Sequence, residues 1–407
     1  MDNKTIHDIA IIGGGIAGAG IARDAALRGL SVAVFEKGAF ASGASSKSSK
    51  LIHGGIRYLE SAWQALKRGD PAEAWKDFHF VFVSLRESRV LAHVAPGLVQ
   101  PMALVIPLFK NSGRGRLMVF AGTFLYFLMA ILSGSARWPR FLWTKHSVLE
   151  ILPGLKEQGL VGGVMIWDHT TDDAGLVRAT LASAVKNGAV TLQDAKVEGF
   201  TYDAKRRLYE ISVRRDGVLR SVLARKLINA SGPWIDKLRS EWRKNTGDYL
   251  LPVAGSHICF KKFLPYSVIL QAADRRPFFV INQGEVSRVG TTERLFSDPD
   301  AVAPTEGDVD YLLRALKDHF PRLTLTQSDV LSSDAGIRPL ARPKIMREFG
   351  RISREHEIRQ DASGVTHVIG VKLTDHRRAA EQIVDALMPE LWRKGIKKKT
   401  LTHRLPL

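Results

Sequence analysis

The chain has 407 residues, 45% of them hydrophobic, enough to bury one large core or two moderate ones, which excludes an intrinsically disordered protein. Its single cysteine, Cys259, excludes an intrachain disulfide and any metal cluster built on cysteine, and no metal site is expected. With 59 Lys and Arg against 41 Asp and Glu, the net charge of +18 calls for an anionic partner, whether nucleic acid, anionic lipid or a phosphorylated small molecule.

Residues 1–7 are polar and the first apolar run is already a strand, so no cleavable leader is expected and the catalytic face is expected in the cytoplasm. That run, residues 9–12, leads into Gly13-Gly14-Gly15-Ile16-Ala17-Gly18, then a helix stopped by Gly29 and a second strand, 32–35, ending on Glu36. Strand, glycine turn, helix and acid-tipped strand form a dinucleotide-binding fingerprint. Gly13 permits the turn, Gly15 lets backbone approach a pyrophosphate, Gly18 lets the helix pack on the sheet, and Glu36 is placed to accept a ribose hydroxyl.

The small polar loop 41–50 contains Ser45-Ser46-Lys47-Ser48-Ser49-Lys50 and runs into Leu51-Ile52-His53-Gly54-Gly55-Ile56-Arg57-Tyr58-Leu59-Glu60. With the glycine turn, this run resembles the FAD-dependent glycerol-3-phosphate dehydrogenases of respiratory membranes. Residues 61–100 carry helical patterning, with Trp63, Trp75 and Phe78 to Phe82 read as core. The uncharged stretch 117–134 falls short of the roughly 20 apolar residues a span requires. Arginines flank it on both sides, and a span would part the glycine turn from later cofactor segments, so it reads as a helix lying on a membrane or in a core.

Asp172-Asp173 starts a helix that stops at Asn187-Gly188, and strands over 190–197, 208–214 and 218–223 turn at Asp216-Gly217. A further strand ends in Asn229-Ala230-Ser231-Gly232, resembling the family's second backbone approach to the FAD diphosphate. From 252 to 295 strands follow one another without helices, as in an antiparallel sheet, and 305–320 is an amphipathic helix. Gly255-Ser256-His257-Ile258, Gly290-Thr291-Thr292-Glu293, Ser333 to Leu340, Arg351 to His356 and Val368 to Thr374 extend the resemblance. Arg393, Lys394, Lys397, Lys398, Lys399 and Arg404 follow Glu390 with no acid among them, which reads as a solvated tail or a lipid-headgroup contact.

The resemblance implies an α/β fold in which a Rossmann-like FAD-binding domain (1–60, 155–250 and 350–390) is interleaved with a smaller α+β substrate domain built on an antiparallel sheet (61–154 and 251–349), followed by a basic tail (391–407). It implies FAD as cofactor, held by Gly13, Gly15, Gly18, Glu36, Ser45, Ser46, Ser49, Lys50, His53, Val197, Ser231, Gly232, Gly370, Leu373 and Thr374. The implied reaction oxidises sn-glycerol 3-phosphate to dihydroxyacetone phosphate and passes electrons to a quinone. Arg57, Tyr58 and Arg354 would line the substrate pocket, with His257, Arg338 and Lys372 as catalytic groups. Guanidinium forks suit a phosphate, and imidazole suits proton acceptance near neutrality, with Lys372 as the second candidate base. A peripheral contact with the cytoplasmic face of the membrane is expected and no nucleic acid; the oligomeric state is open. Val371 and Asp375 stand where the family has glycine and threonine, which leaves the exact substrate open. The alternatives are a related FAD oxidoreductase acting on amines or hydroxy acids, and a non-catalytic flavoprotein that docks on lipid or nucleic acid.

Overall fold

The computed structural model describes residues 5–110, 115–134, 137–243, 247–343, 356–397 and 399–407. In chain order they form β1 (Ile6–Ile12), α1 (Ile16–Leu27), β2 (Val32–Phe35), β3 (Leu51–Ile52), α2 (Arg57–Lys67), α3 (Pro71–Val94), β4 (Val99–Phe109), α4 (Arg116–Leu132), β5 (Arg140–Leu142), α5 (Lys145–Ile151), β6 (Leu160–Thr171) and α6 (Asp173–Lys186). There follow β7 (Val190–Leu192), β8 (Ala195–Asp203), β9 (Leu208–Arg215), β10 (Val218–Asn229), α7 (Ile235–Trp242), β11 (Leu250–Lys261), β12 (Ser267–Gln271), β13 (Pro277–Gln283), β14 (Val286–Gly290) and β15 (Arg294–Leu295). The last elements are α8 (Glu306–His319), β16 (Ser332–Ala341), β17 (Glu357–Gln360), β18 (Thr366–Ile369) and α9 (His376–Leu391).

The first sheet runs β17-β18-β10-β1-β2-β7, with β8 and β9 continuing from β10 as an antiparallel meander. Its centre is parallel, and β1 is apolar on both faces because both are covered. Ile9 and Ile11 face a core shared with α1, α6 and α9, while Ala10 and Ile12 face the meander. Late chain completes this sheet, since β18 lies beside β10.

The second sheet runs β15-β11-β14-β13-β12-β4-β6-β3, with β16 on β11 and β5 on β6, and is antiparallel except between β4 and β12. One face packs on α5 and α8 and the other on the α2–α4 layer. Strand β6 falls within 155–250 and β3 within 1–60, the spans assigned from sequence to the dinucleotide fold, yet both belong to this sheet. The chain crosses between sheets more often than composition reveals.

Three expectations are corrected. Trp63 and Trp75 are not core: α2 buries Leu59, Ala62 and Ala65 on its other side, and Trp75 is 72% exposed. The helical reading of 61–100 ends at Val94, Asp70 and Pro71 having started α3 with a cap, and β4 begins at Val99. The basic stretch after Glu390 is not a solvated tail. Lys394, Lys397 and Lys399 are exposed, but Thr400 donates to Asp24, Leu407 N–H donates to Val94 O at 2.8 Å, and Arg23 donates to the carbonyls of Thr402, Leu405 and Pro406. This strap ties α1 to the end of the chain, and Arg393 pairs with Asp8 at 2.8 Å.

Helix α4 buries Phe120, Thr123, Tyr126 and Phe127 and presents Leu117, Phe124, Leu125, Leu128, Ile131 and Leu132 to the outside. It lies on the molecule rather than inside it. Among the described residues no helix is long and apolar enough to cross a membrane.

Candidate active site

A cleft of about 1340 Å³ runs between the two sheets. At one end lies the turn between β1 and α1. Gly13 has φ +108°, and a Cβ there would stand 2.6 Å from Ala230 O, so only glycine allows the first turn to close on the turn after β10. A Cβ on Gly18 would meet Gly13 O at 2.0 Å, which keeps the helix against the turn. Gly15 differs, because a Cβ there would meet only Ser45 Oγ, at 3.0 Å, and its backbone faces the cleft.

Polar partners complete this cradle. Ile16 N–H, at the start of α1, donates to Ser45 Oγ at 3.0 Å. The Glu36 carboxylate accepts from Gly14 N–H at 2.8 Å and Gly38 N–H at 3.0 Å, which fixes it at the end of β2 with lone pairs to spare for a ligand hydroxyl. Ser231 and Gly232 line the same end. Val197 lies beside it in a smaller cavity of about 220 Å³ that shares Gly13, Glu36 and Trp234 with the cleft.

Ser49, His53, Gly370, Leu373 and Thr374 also line the cleft, and His53 N–H donates to Thr374 Oγ1 at 3.4 Å. Ser46 and Lys50 do not. The Lys50 ammonium turns to the buried carboxylate of Asp173, and the Ser46 hydroxyl donates to Gly43 O at 3.3 Å.

The other end gathers cations. Arg57 and Tyr58 open α2, Lys372 follows β18, and Arg338 projects from β16. Gly255 makes room for the Arg338 guanidinium, because a Cβ there would stand 2.9 Å from Nη2. Arg338 donates to Thr291 Oγ1 at 2.9 Å and lies 3.5 Å from Glu293 Oε1. The Lys372 ammonium stands 3.8 Å from the centre of the Phe80 ring and 3.4 Å from the Tyr58 hydroxyl, to which it donates. Arg354 lies outside the described residues.

His257 sits in mid-β11, where Gly290 leaves space for its ring, and lines the cleft though only 3% exposed. Its Nε2 is 2.9 Å from Ser49 Oγ, and its Nδ1 has no hydrogen-bond partner among the described residues, with Asp334 Oδ1 at 3.9 Å. Burial, then the charges of Arg288, Arg338 and Lys50, hold the imidazole well below its usual range, so it is neutral at physiological pH.

Reading the sequence missed several groups here. Phe80, taken as core, is the cation–π floor under Lys372. Asp168 on β6 lines the cleft and accepts from the Tyr126 hydroxyl at 2.8 Å and from Gly54 N–H at 3.3 Å. Burial, opposed by those two hydrogen bonds, pushes its carboxyl up to about 7. Its one sequence signal was a lone acid in an apolar strand. Thr291 and Glu293 lay inside a quoted segment, but nothing there pointed to their contact with Arg338. Asp375, the charged departure from the family pattern, is buried at the start of α9, where Ser84 donates to it at 3.2 Å.

Residues 8–373 match the family model described as FAD dependent oxidoreductase. The chain belongs to that family. Within it, the chain belongs with the glycerol-3-phosphate dehydrogenases. It is 35% identical over 394 residues to the aerobic glycerol-3-phosphate dehydrogenase of Staphylococcus epidermidis, covering 95% of this chain and 68% of that one. Against the enzyme of the same name from Bacillus subtilis it is 33% identical over 407 residues, covering 98% and 69%. Among solved structures, the glycerol-3-phosphate dehydrogenase from Bacillus halodurans complexed with FAD superposes with a TM-score of 0.77 at 30% identity, covering all of this chain and 68% of that one. The L-alpha-glycerophosphate oxidase from Mycoplasma pneumoniae shares the fold, with a TM-score of 0.68 at 17% identity and 99% coverage of both chains.

The cleft fits the family's cofactor on its own geometry. A Gly15 side chain would fill the cradle, α1 aims its first N–H groups there, and Glu36 is fixed for a ribose. Gly13, Gly15, Glu36, Ser45, Ser231 and Gly232 would hold the dinucleotide half. His53, Gly370, Leu373 and Thr374 would flank the flavin.

Proposed function

We propose that the protein oxidises sn-glycerol 3-phosphate to dihydroxyacetone phosphate, with a membrane quinone as final electron acceptor. The observation that carries this reading is the group of cations, Arg338, Lys372 and Arg57, lining one end of a cleft whose other end is the dinucleotide cradle. FAD, when bound, supplies the hydride acceptor for the substrate C2. The Arg338 fork suits the phosphate oxygens and holds the substrate in one orientation. His257, facing the cleft, takes the C2 hydroxyl proton as the C–H bond breaks and the carbonyl forms, against the burial and neighbouring cations that disfavour its protonated form. Lys372 stabilises the oxygen while negative charge builds on it, its own position fixed by Phe80 and Tyr58. Leu104, Ile269 and Phe279 supply apolar wall, which strengthens each of these interactions by excluding water.

The proposal includes peripheral contact with the cytoplasmic face of a membrane. Exposed leucines, Phe124 and Ile131 on α4 support it, as do Trp138 and Trp143, both largely exposed and packed against Phe127 and Phe120 of that helix at 4.4 and 4.6 Å. Arg116 and Arg140 at the edges suit anionic headgroups. The test is anaerobic mixing of the flavoprotein with a panel of small acids and polyols. Bleaching of the flavin by sn-glycerol 3-phosphate, and not by glycerol, amino acids or hydroxy acids, is expected. Bleaching by an amino acid alone would overturn the substrate.

A further inference from the structure

Between β15 and α8 the chain leaves the second sheet and reaches across to the first. Both ends of this segment are anchored. Phe296 N–H donates to Pro252 O at 3.3 Å, and Thr305 forms a reciprocal cap with Asp308. At its middle, Asp300 accepts three hydrogen bonds from the cofactor side: Lys37 Nζ at 2.6 Å, Lys237 Nζ at 2.5 Å and Trp234 Nε1 at 2.8 Å. The three donors flank the two turns that frame the dinucleotide. Lys37 follows Glu36, and Trp234 and Lys237 follow Ser231-Gly232. Pro299, Asp300 and Val302 line the main cleft, and Asp300 also lines the small cavity that holds Val197.

The far side of this closure is itself layered onto the cradle. The Lys37 ammonium stands 4.3 Å from the centre of the Trp234 ring, and that ring packs so closely on Gly43 that a Cβ there would lie 2.9 Å from it. Gly43 precedes Ser45, which caps α1. We infer that Asp300 is a latch that closes segment 297–304 over the adenosine end of the cleft and sets the rate at which FAD leaves. The latch rests on the FAD reading and not on the identity of the substrate.

Lifting the segment opens the adenosine end of the cleft and breaks the three bonds together. The two lysine pairs are nearly half exposed, and one such pair contributes little. Three donors from two elements on one carboxylate form a network, and its loosening should depend on salt because the pairs are open to counterions. Partial burial would raise the Asp300 carboxyl, but its bonds to Lys237, Lys37 and Trp234 prevail and hold it well below the usual range. The latch therefore stays charged through the neutral range and responds to salt rather than to pH.

The test is the FAD dissociation rate of purified holoprotein, read as recovery of flavin fluorescence on dilution. Asp300→Asn should release FAD roughly tenfold faster, as expected for loss of a small network of charge-assisted contacts. Wild-type release should quicken with salt while that of the variant should not, and Asp300→Glu should restore part of the slow release. Should Asp300→Asn fail to fold, Lys237→Met removes one exposed donor and should give a smaller acceleration. Release unchanged in the variants, or indifferent to salt in the wild type, overturns the latch alone. Equal destabilisation of the FAD-free variant, seen as a lowered Tm, would make Asp300 a tie between sheets and also overturn it. Failure of the wild type to bind FAD would overturn the cofactor and the latch together.

Discussion

Replacing Arg338 by alanine tests the phosphate end of the cleft. A hydrogen bond to a charged group contributes about 1.5–3 kcal/mol. The Arg338 side chain is 31% exposed, so the lost contact falls short of the upper figure. The structure adds a second penalty, because Glu293 Oε1, 3.5 Å from Nη1, would lie near the phosphate with the guanidinium no longer between two negative charges. Together they predict a loss of about 3 kcal/mol in transition-state stabilisation, on the order of a hundredfold in kcat/KM for sn-glycerol 3-phosphate. Removing that negative charge as well, in Arg338→Ala/Glu293→Gln, should recover roughly tenfold of that loss, since the repulsion disappears. Arg338→Lys should recover only part, because a point charge lacks the fork. The assay is turnover with an artificial electron acceptor at fixed FAD content, with glycerol as the control. FAD content should not change, and glycerol, which never made the contact, should lose far less. Equal losses for both substrates would mean that Arg338 supports the fold or the flavin, and the phosphate assignment would fall.

Gly15→Val should give a folded but colourless protein, because the added side chain displaces Ser45 Oγ and occupies the diphosphate approach; FAD bound at wild-type stoichiometry would refute the cradle. Leu125→Glu/Leu128→Glu on the exposed face of α4 should cut sedimentation with anionic vesicles at least about tenfold without changing flavin content, and unchanged sedimentation would remove α4 from the membrane contact. Asp168, raised by burial to about 7, keeps its proton when folded at pH values where the unfolded chain has lost it. Stability should therefore fall as pH rises from about 4 to 7, and Asp168→Asn should flatten that slope in chemical denaturation; an unchanged slope would mean that Asp168 is not its source.

The dinucleotide half was legible because its signals are local. The turn at Gly13, the close packing at Gly18 and the acid at Glu36 each follow from a residue type at one place along a strand, turn and helix. The second sheet was legible only where consecutive strands neighbour one another, as from β12 to β14. Strands β3 and β6 pair across more than a hundred residues, and no local periodicity records that. The strap after Glu390 was misread for a related reason. A run of cations says that lysines face solvent, but not that the threonines between them dock on α1. Phe80 and Asp168 were invisible for want of pattern, since an aromatic on a helix and an acid on a strand acquire roles only through what lies opposite. The Asp375 departure looked like a change to the substrate pocket, yet it faces Ser84 of α3; Lys372 still works to lower its carboxyl, though burial, the larger influence, raises it.

The surplus of positive charge does not by itself mark the substrate end. Arg288 gives both terminal nitrogens to Asp334 at 2.6 and 2.7 Å, Arg377 gives two nitrogens to Glu87 at 2.6 and 2.7 Å, and Lys50 is held by Asp173. Taking any of these cations for a ligand would strand a carboxylate that is largely buried, at a cost of several kcal/mol, so they serve the fold. Arg338 is engaged differently. It donates to a neutral hydroxyl on Thr291, and its contact with Glu293 is looser, at 3.5 Å. Exchanging that contact for a phosphate dianion at hydrogen-bond distance strengthens the attraction. A monoanionic carboxylate would gain less from the same exchange. The looser pairing of Arg338 with Glu293 thus suits a phosphate better than a carboxylate.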